Sequence, residues 1–166
     1  MISSVELDNL FSSGGSMLRA VPTVQVGFQK MKEGIETPQY THEGDACMDL
    51  RVYPDQAITI APGQYHVFDS CIKFDIPENH VMLVYPRSGL GFKTGIVLRN
   101  LTGVIDSNFT DTVKVCLVNN STEEFVVSPG DRVAQFMVVP YPTMKLIEKT
   151  VEDSGRGVGL GSSGVQ

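Results

Sequence analysis

The chain has 166 residues, of which 42% are hydrophobic and 19% charged, so one globular domain with a substantial core is predicted and a disordered chain is excluded. Its formal net charge of −6 argues against a general nucleic-acid binder, which normally carries a basic surface. A polyanionic small molecule is still compatible with this charge, because a few arginines and a metal can concentrate positive charge at one site.

Cysteine usage and the length of the apolar runs bear on the compartment. Cys47, Cys71 and Cys116 are odd in number and form no Cys-x-x-Cys pair, which predicts reduced thiols and neither a disulfide framework nor a zinc site. No apolar run approaches the roughly 18–20 residues of a membrane span, and no pattern typical of a secretory signal is recognisable. These features together predict a cytoplasmic protein.

The two ends of the chain differ in composition from the segment between them. Residues 1–19 have little hydrophobic pattern and include a Ser/Gly-rich stretch, so a mobile N-terminal extension is predicted. Residues 20–150 carry the patterned part and are predicted to form one β domain. Residues 151–166 are rich in glycine, which disfavours helix and strand. This tail is either a frayed terminus or a lid that orders over a ligand, with backbone N–H groups facing phosphates.

Strand-like runs separated by Gly/Pro turn signals fill the segment from Val21 onward. Alternation is clearest at Val113–Leu117, where one face is apolar throughout. The spacing predicts an all-β sandwich or barrel, with one short helical turn at Arg87–Phe92. The predicted strands are Val21–Phe28, Ala57–Ile60, Tyr65–Phe74, His80–Tyr85, Gly95–Leu98, Val113–Val118, Glu124–Val127, Arg132–Pro140 and Met144–Lys149.

Two polar clusters follow glycine- or proline-containing turns. In Gly44–Leu50, Asp49 lies between apolar residues and is either a turn former or a carboxylate near a metal. Pro86–Leu90 is not a Walker A loop. Its residues Arg87, Ser88 and Gly89 supply a guanidinium group, a hydroxyl and an unobstructed backbone. This combination suits phosphate oxygens, although an ordinary turn also explains it.

Two further clusters lie at Asn100–Phe109 and Pro129–Phe136. Asp106 follows two β-branched residues and is either a turn cap or a general base held against an apolar wall. Asn100 offers the donor and the acceptor that reading a pyrimidine edge requires, whereas Phe109 is either a core residue or a platform for a ligand. Gln135 stands among apolar residues, where a buried amide needs partners, and it is suited to orienting a water or a phosphate.

The order and content of these four clusters, followed by the glycine-rich tail, resemble the five motifs of the homotrimeric dUTP pyrophosphatase (dUTPase) family. The resemblance runs from Gly44 to Gly164. It implies hydrolysis of dUTP to dUMP and pyrophosphate with Mg²⁺, on a jelly-roll-like β fold of the β-clip type with a flexible C-terminal arm. It also implies a trimer with active sites at subunit interfaces. Each site takes its first, second and fourth motifs from one subunit, the third from another and the arm from a third. Pro140 and Pro142 fit a hinge that sends the last strand to a neighbour.

The same resemblance implies roles for the phosphate side of the site. Asp106 is the general base that aligns a water for in-line attack on the α-phosphorus. Asp49 lies near Mg²⁺ and acts through its water shell. Gln135 holds the α-phosphate region or the water. The other phosphate-binding residues are Arg87, Ser88 and Gly89.

On the nucleoside side, the family pattern implies that Asn100 and the hairpin backbone read uracil and leave no room for the methyl group of thymine. Phe109 packs under the deoxyribose and excludes a ribose 2′-hydroxyl. Lys114 is counted with the substrate-binding residues. The hairpin residues are Gly103, Val104 and Ile105, and the arm residues expected to close over the ligand are Arg156, Leu160, Gly161 and Ser162.

Four positions depart from the family pattern: Phe109 replaces a tyrosine, Asp111 a glycine, Cys47 a glycine and Leu160 a phenylalanine. The family phenylalanine stacks on uracil, an interaction that contributes about 1 kcal/mol. A leucine at that position therefore predicts a weaker lid and slower turnover.

Two alternatives to dUTP hydrolysis exist on this fold. A dCTP deaminase shares this fold but needs a glutamate ten residues beyond the aspartate of the third motif, where this chain has Cys116. The second is a nucleotide-sensing protein of the same fold that regulates a protein partner. Loss of Asp106 or Arg87 would have favoured sensing, and both residues are present.

Overall fold

The computed structural model describes residues 23–152 and Gly155. The predicted extension at 1–19 and most of the predicted arm at 151–166 lie outside the described residues. Within the described part, eleven strands and one short helix form, so the all-β prediction is confirmed. The elements are β1 (Gly27–Lys30), β2 (Met48–Arg51), β3 (Ile58–Ile60), β4 (Tyr65–Asp69), β5 (Ile72–Asp75), β6 (His80–Pro86), α1 (Ser88–Thr94), β7 (Ile96–Leu98), β8 (Gly103–Ile105), β9 (Lys114–Asn119), β10 (Phe125–Val127) and β11 (Arg132–Pro140).

The strands pair antiparallel in four small sheets with the jelly-roll-like arrangement that was predicted. The largest sheet has the order β2-β11-β6-β8, and a three-stranded sheet has the order β4-β9-β7. Two ladders, β1-β5 and β10-β3, complete the described part. Because non-consecutive strands are neighbours throughout, motifs that are distant in sequence become adjacent on β2, β11 and β6.

The inward-facing side chains of these sheets form one hydrophobic core. In β9 the alternation that was visible in the sequence holds, with Val115 and Leu117 buried. The fully buried large side chains come from both multi-stranded sheets and their connections: Phe68, Leu50, Ile60, Ile72, Met82, Ile96, Leu98, Leu117, Val52, Val84, Val113 and Val127. At about 1.5–3 kcal/mol for each such side chain, this burial is the main term that holds the strands in register.

Several predicted boundaries need correction. The single run at Tyr65–Phe74 is two strands, because Cys71 adopts a left-handed backbone with φ 54° and its N–H donates to Asp69 Oδ1 at 2.7 Å. The strand predicted at Val21–Phe28 is β1 at Gly27–Lys30 in the described residues. β2 and β8 were not predicted as strands. The helical turn predicted at Arg87–Phe92 is confirmed as α1.

The strand predicted at Met144–Lys149 is wrong for the isolated chain. This segment has no strand structure, and the described residues offer it no pairing partner. Its apolar side chains stand in solvent, with Met144 85%, Leu146 92% and Ile147 75% exposed. Within the described residues, these apolar side chains have no surface to pack against.

Two sequence predictions concern the state of the cysteines and the presence of a membrane-spanning helix. Cys47, Cys71 and Cys116 are free thiols, as expected. Within the described residues, no helix has the length and apolar character needed to span a bilayer.

Candidate active site

Three neighbouring strands, β2, β11 and β6, bring three of the predicted motifs together. Gln135 on β11 lies directly opposite Asp49 on β2 and opposite Tyr85 on β6. Its side-chain Nε2 donates to the carbonyl of Pro86 at 2.9 Å, at the end of β6 where the second motif begins. This hydrogen bond holds the amide at the junction of the first, second and fourth motifs, as the sequence had suggested for a semi-buried glutamine.

Asp49 is held between two arginines. Its Oδ1 lies 2.7 Å from Arg87 Nε, and its Oδ2 lies 3.1 Å from Arg132 Nη1. Arg87 Nη1 in turn donates to the backbone carbonyl of Arg132 at 3.0 Å. The Asp49 side chain is only 18% exposed, against 30% for Arg87 and 41% for Arg132, so the carboxylate is partly screened from water while the guanidinium groups reach the surface. Two cations and one anion leave a net positive charge at this point.

A cavity of about 590 Å³ opens beside this cluster. Ser88 and Gly89 form part of its wall at the start of α1, where first-turn N–H groups have no partner inside the helix. A Cβ added at Gly89 would meet no atom within 4 Å, so the backbone there is open to a ligand. The polar wall is completed by Thr41, His42, Asp45, Asp49, Arg87, Arg132 and Gln135. Two carboxylates therefore lie beside the two guanidinium groups. Guanidinium groups and free N–H groups around one opening suit phosphate oxygens.

Cys47, the residue that replaces the usual glycine of the first motif, also lines this cavity. Burial raises the pKa of the Cys47 thiol. The thiol is therefore neutral at physiological pH and places no negative charge beside the arginines.

The third motif lies elsewhere in the chain. β8 pairs with β6, with Ile105 opposite Met82 and Gly103 opposite Val84. Arg87 follows Met82 by five residues, and at about 3.3 Å per residue the end of β8 lies roughly 16 Å from the second motif along the strand direction. Asp106 is exposed, and within the described residues its carboxylate forms no hydrogen bond and no ion pair. The predicted base and the predicted phosphate cluster are therefore not brought together within one chain.

The nucleoside side of the predicted site is preformed in part. Asn100 Nδ2 donates to the carbonyl of Thr102 at 3.3 Å, which orients its amide beside the hairpin. A Cβ added at Gly103 would lie 3.1 Å from Val84 Cβ, so the close approach of β8 to β6 depends on a glycine there. Val104 is 61% exposed and Phe109 38% exposed. Both side chains are thus accessible at the hairpin, and Phe109 lines a pocket together with Phe28 and Phe74 of the same chain.

Lys114 lies apart from both clusters. Its Nζ contacts Asp111 Oδ2 at 2.8 Å, Thr112 Oγ1 at 3.1 Å and Asp69 Oδ2 at 3.7 Å. The structure thus places Lys114 in an ion-pair group with Asp69 and Asp111 rather than at the cavity. The predicted arm residues Arg156, Leu160, Gly161 and Ser162 lie outside the described residues.

Arg132 was assigned no role of its own from the sequence, although it lies within the fourth motif at Pro129–Phe136. It stands three positions before Gln135, a spacing that puts the two side chains on opposite faces of a regular strand. No local sequence signal reveals the irregularity that brings them to the same face.

The donor groups fit an octahedral Mg²⁺ that keeps most of its water. The described residues contain no group of three or more His, Cys, Asp or Glu side chains able to enclose a metal. Both oxygens of Asp49 already accept from guanidinium groups, but their remaining lone pairs can accept from metal-bound water. Mg²⁺ is commonly held by one or two carboxylates together with substrate phosphates, and the carboxylates of Asp49 and Asp45 at the phosphate cavity match that chemistry.

Comparison with known proteins identifies the family. A family model described as dUTPase matches residues 33–164. A deoxyuridine 5′-triphosphate nucleotidohydrolase of Idiomarina loihiensis is 39% identical over 145 residues, covering 85% of this chain and 95% of the relative. Another from Rhizobium johnstonii is 42% identical over 137 residues, covering 80% of this chain and 88% of the relative.

Solved structures show the same fold. A mutant dUTPase of Staphylococcus bacteriophage 80alpha with dUpNHpp has a TM-score of 0.73 at 24% identity, covering 86% of this chain and 100% of that one. A mutant dUTPase from phage phi11 of S. aureus, described for its coordination of a structural Mg(II) ion, has a TM-score of 0.70 at 22% identity, covering 79% and 100%. Because the family model and both sequence relatives cover most of the chain, this protein belongs to the dUTPase family.

Proposed function

We propose that this chain hydrolyses dUTP to dUMP and pyrophosphate in a Mg²⁺-dependent reaction. Family membership supports the reaction class, and the observation that carries it to these residues is the Asp49–Arg87–Arg132 cluster beside the 590 Å³ cavity. A net positive cluster with open backbone N–H groups is suited to a triphosphate. When bound, Mg²⁺ would neutralise charge on the phosphate oxygens, with Asp49 holding the ion through its water shell.

Asp106 acts as the general base. A carboxylate without an ion pair is free to accept the proton of a water molecule as that water attacks the α-phosphorus in line with the leaving pyrophosphate. Gln135 orients the α-phosphate or the water, because its carbonyl oxygen is still available while Nε2 is bound to Pro86. Arg87, Ser88 and Gly89 hold the phosphate oxygens and stabilise the charge that develops on the leaving group.

Uracil is read by the third motif. Asn100 and the β8 backbone from Gly103 to Ile105 present paired donors and acceptors to the pyrimidine edge. Phe109 packs under the sugar. Selection against a ribose 2′-hydroxyl and against a 5-methyl group is steric in this arrangement, so UTP and dTTP are expected to be poor substrates.

The complete site is formed by more than one copy of the chain. The single chain leaves Asp106 far from Arg87, and it leaves Met144, Leu146 and Ile147 exposed beyond Pro142. A homotrimer that shares sites between subunits accounts for both features, with the apolar segment crossing to a neighbour. The arm residues Arg156, Leu160, Gly161 and Ser162 close over the bound nucleotide. The free cysteines fit a cytoplasmic enzyme.

The experiment measures pyrophosphate release from dUTP by the purified full-length protein, with Mg²⁺ and with a chelator in its place. We expect release only with the metal, and a loss of about 10²–10⁴-fold in Asp106→Asn, because the amide cannot accept the proton. Asp55→Asn is the matched control, since it removes an exposed carboxylate that pairs only with Lys32. A wild-type protein that leaves dUTP intact with Mg²⁺ overturns the proposal. An Asp106→Asn variant of normal activity refutes the assignment of the base.

A further inference from the structure

Arg132 reaches the site because of a β-bulge. Arg132 pairs with Arg51, but Ala134 pairs with Leu50, so β11 contains one residue more than β2 between these two pairs. Val133 and Ala134 are consecutive and both buried, at 2% and 0% exposure, as expected when the alternation is interrupted. The extra residue returns Arg132 to the face that carries Asp49 and Gln135. Bulges that re-aim a side chain in this way are frequent beside active sites.

The bulge closes a ring of three contacts. Arg132 Nη1 donates to Asp49 Oδ2, and Arg87 Nε pairs with Asp49 Oδ1. Arg87 Nη1 donates to the Arg132 carbonyl and completes the ring. One residue thus restrains Arg87 twice, through its backbone and through Asp49. The Nη2 group of Arg87 is not engaged in the ring, which leaves part of the guanidinium fork available to a phosphate.

We propose that Arg132 is a positioning residue for the triphosphate: it fixes Asp49, and through Asp49 it fixes the orientation of the Arg87 guanidinium. This inference rests on the proposed function, because it assigns Arg87 to the phosphates. An arginine that is already oriented loses less conformational entropy when the ligand binds, and the ring therefore strengthens binding without a direct contact from Arg132.

A purely structural ion pair makes a different prediction. Exposed ion pairs contribute little to folding stability, and the Arg132 side chain is 41% exposed. Removal of Arg132 should then change neither stability nor binding to a large extent. The positioning role predicts a small change in stability together with a large change in phosphate affinity.

The test compares Arg132→Gln, Arg132→Lys and Lys32→Gln in the full-length protein. Lys32 pairs with Asp55 and its side chain is 48% exposed, so Lys32→Gln removes one cation of comparable exposure away from the cavity. Calorimetry measures the affinity of each variant for inorganic tripolyphosphate without metal, and steady-state assays with dUTP and Mg²⁺ give kcat and KM. Thermal unfolding of each variant reports folding.

We expect Arg132→Gln to weaken tripolyphosphate binding by about 10- to 100-fold and to lower kcat/KM similarly, the loss typical of a hydrogen bond to a charged group. Arg132→Lys should fall between Arg132→Gln and the wild type, because a point charge does not reproduce the fork. Lys32→Gln should match the wild type. Combining Arg132→Gln with Asp49→Asn should cost less than the sum of the two single losses, since both break the same ring.

The inference is overturned if Arg132→Gln or Arg132→Lys, folded as the wild type is, binds tripolyphosphate with wild-type affinity. It is equally overturned if the losses from Arg132→Gln and Asp49→Asn simply add. In either case a wild-type enzyme that still hydrolyses dUTP leaves the proposed function standing. If the wild-type protein binds tripolyphosphate through this ring but does not hydrolyse dUTP, the proposed function is wrong and the positioning role of Arg132 is supported.

Discussion

Asp111 stands where the dUTPase pattern has a glycine, and the structure gives it a partner. Its Oδ2 lies 2.8 Å from Lys114 Nζ, and its Oδ1 accepts from the Thr112 N–H at 2.7 Å. The hydrogen bond from Lys114, and then that from Thr112, hold the pKa of the Asp111 carboxyl below its usual range. The same pair raises the pKa of Lys114. Asp111, which replaces the glycine, is therefore paired with the cation of Lys114 three residues further along the chain.

This pair predicts a pH-dependent contribution to stability. A carboxyl whose pKa is lowered by folding stabilises the folded state above its unfolded pKa, and that contribution is lost as the pH falls through the folded pKa. Asp111→Asn should therefore be less stable than the wild type at pH 7, and the difference should begin to shrink as the pH falls to about 4 and be lost only below the folded pKa, which is lower still. Urea unfolding at several pH values measures it.

Lys114→Gln supplies the partner control for this pair. The double variant should lose less stability at pH 7 than the sum of the two single losses, because each substitution already breaks the same pair. A difference between Asp111→Asn and the wild type that stays constant down to pH 3 would show that the stabilisation does not come from the ionised carboxylate.

The residues of the candidate site were predictable from sequence to different extents. Asp49, Arg87 and Gln135 were identified individually, and the structure brings them to one cavity because β2, β11 and β6 are neighbours. Arg132 was not identified, since its place on that face depends on a bulge of one residue. Lys114 was grouped with the substrate residues, but its charge is engaged by Asp111, a contact that depends on how the loop before β9 folds.

At the scale of elements, Asn119 ties β3 and the turn before β10 to the end of β9. It is fully buried, and its Nδ2 donates to the carbonyls of Ile60 at 2.8 Å and Glu123 at 2.7 Å. Its Oδ1 accepts from the Ser121 N–H at 2.9 Å and the Ser121 hydroxyl at 2.7 Å. All the polar atoms of one amide are thus satisfied, and β9, β3 and the turn before β10 are held in register.

Asn119→Ala should lower the free energy of unfolding by about 3 kcal/mol, because it leaves buried carbonyl and N–H groups without partners. Urea unfolding provides the measurement. Asn120→Ala is the matched control: the same side chain is removed one position away, where the residue is exposed, and a change within about 0.5 kcal/mol is expected. Equal destabilisation by both variants would contradict the role assigned to the Asn119 amide.

Elements with strong alternation and clear turn signals were the ones that sequence predicted well. β6, β9 and β11 fall close to their predicted positions, since each carries apolar side chains that pack on the same core. β2 and β8 were missed because polar or glycine residues interrupt their short apolar patterns. The strand predicted at Met144–Lys149 is absent from the described residues, and a strand needs a pairing partner, which sequence periodicity does not report.

At the scale of the whole molecule, the described residues share one core but do not bring the predicted base to the phosphate cluster. The phosphate cluster lies on β2 and β11 and at the end of β6, whereas Asp106 follows β8 at the far edge of the large sheet. We propose that neighbouring chains bring these two groups together, and a cyclic oligomer would repeat the same contact until it closes.

Subunit mixing tests this arrangement directly. Arg87→Ala and Asp106→Asn should each be inactive alone, because every site of either homo-oligomer lacks one essential group. When the two variants are unfolded together and refolded at equal concentration, a site is complete if its phosphate cluster comes from an Asp106→Asn chain and its base from an Arg87→Ala chain. Random assembly gives this combination in about one quarter of the sites, and pyrophosphate release should recover to about that fraction of the wild-type rate. Each variant refolded alone is the control and should remain inactive. If both groups instead acted within a single chain, no mixture of the two variants would recover activity.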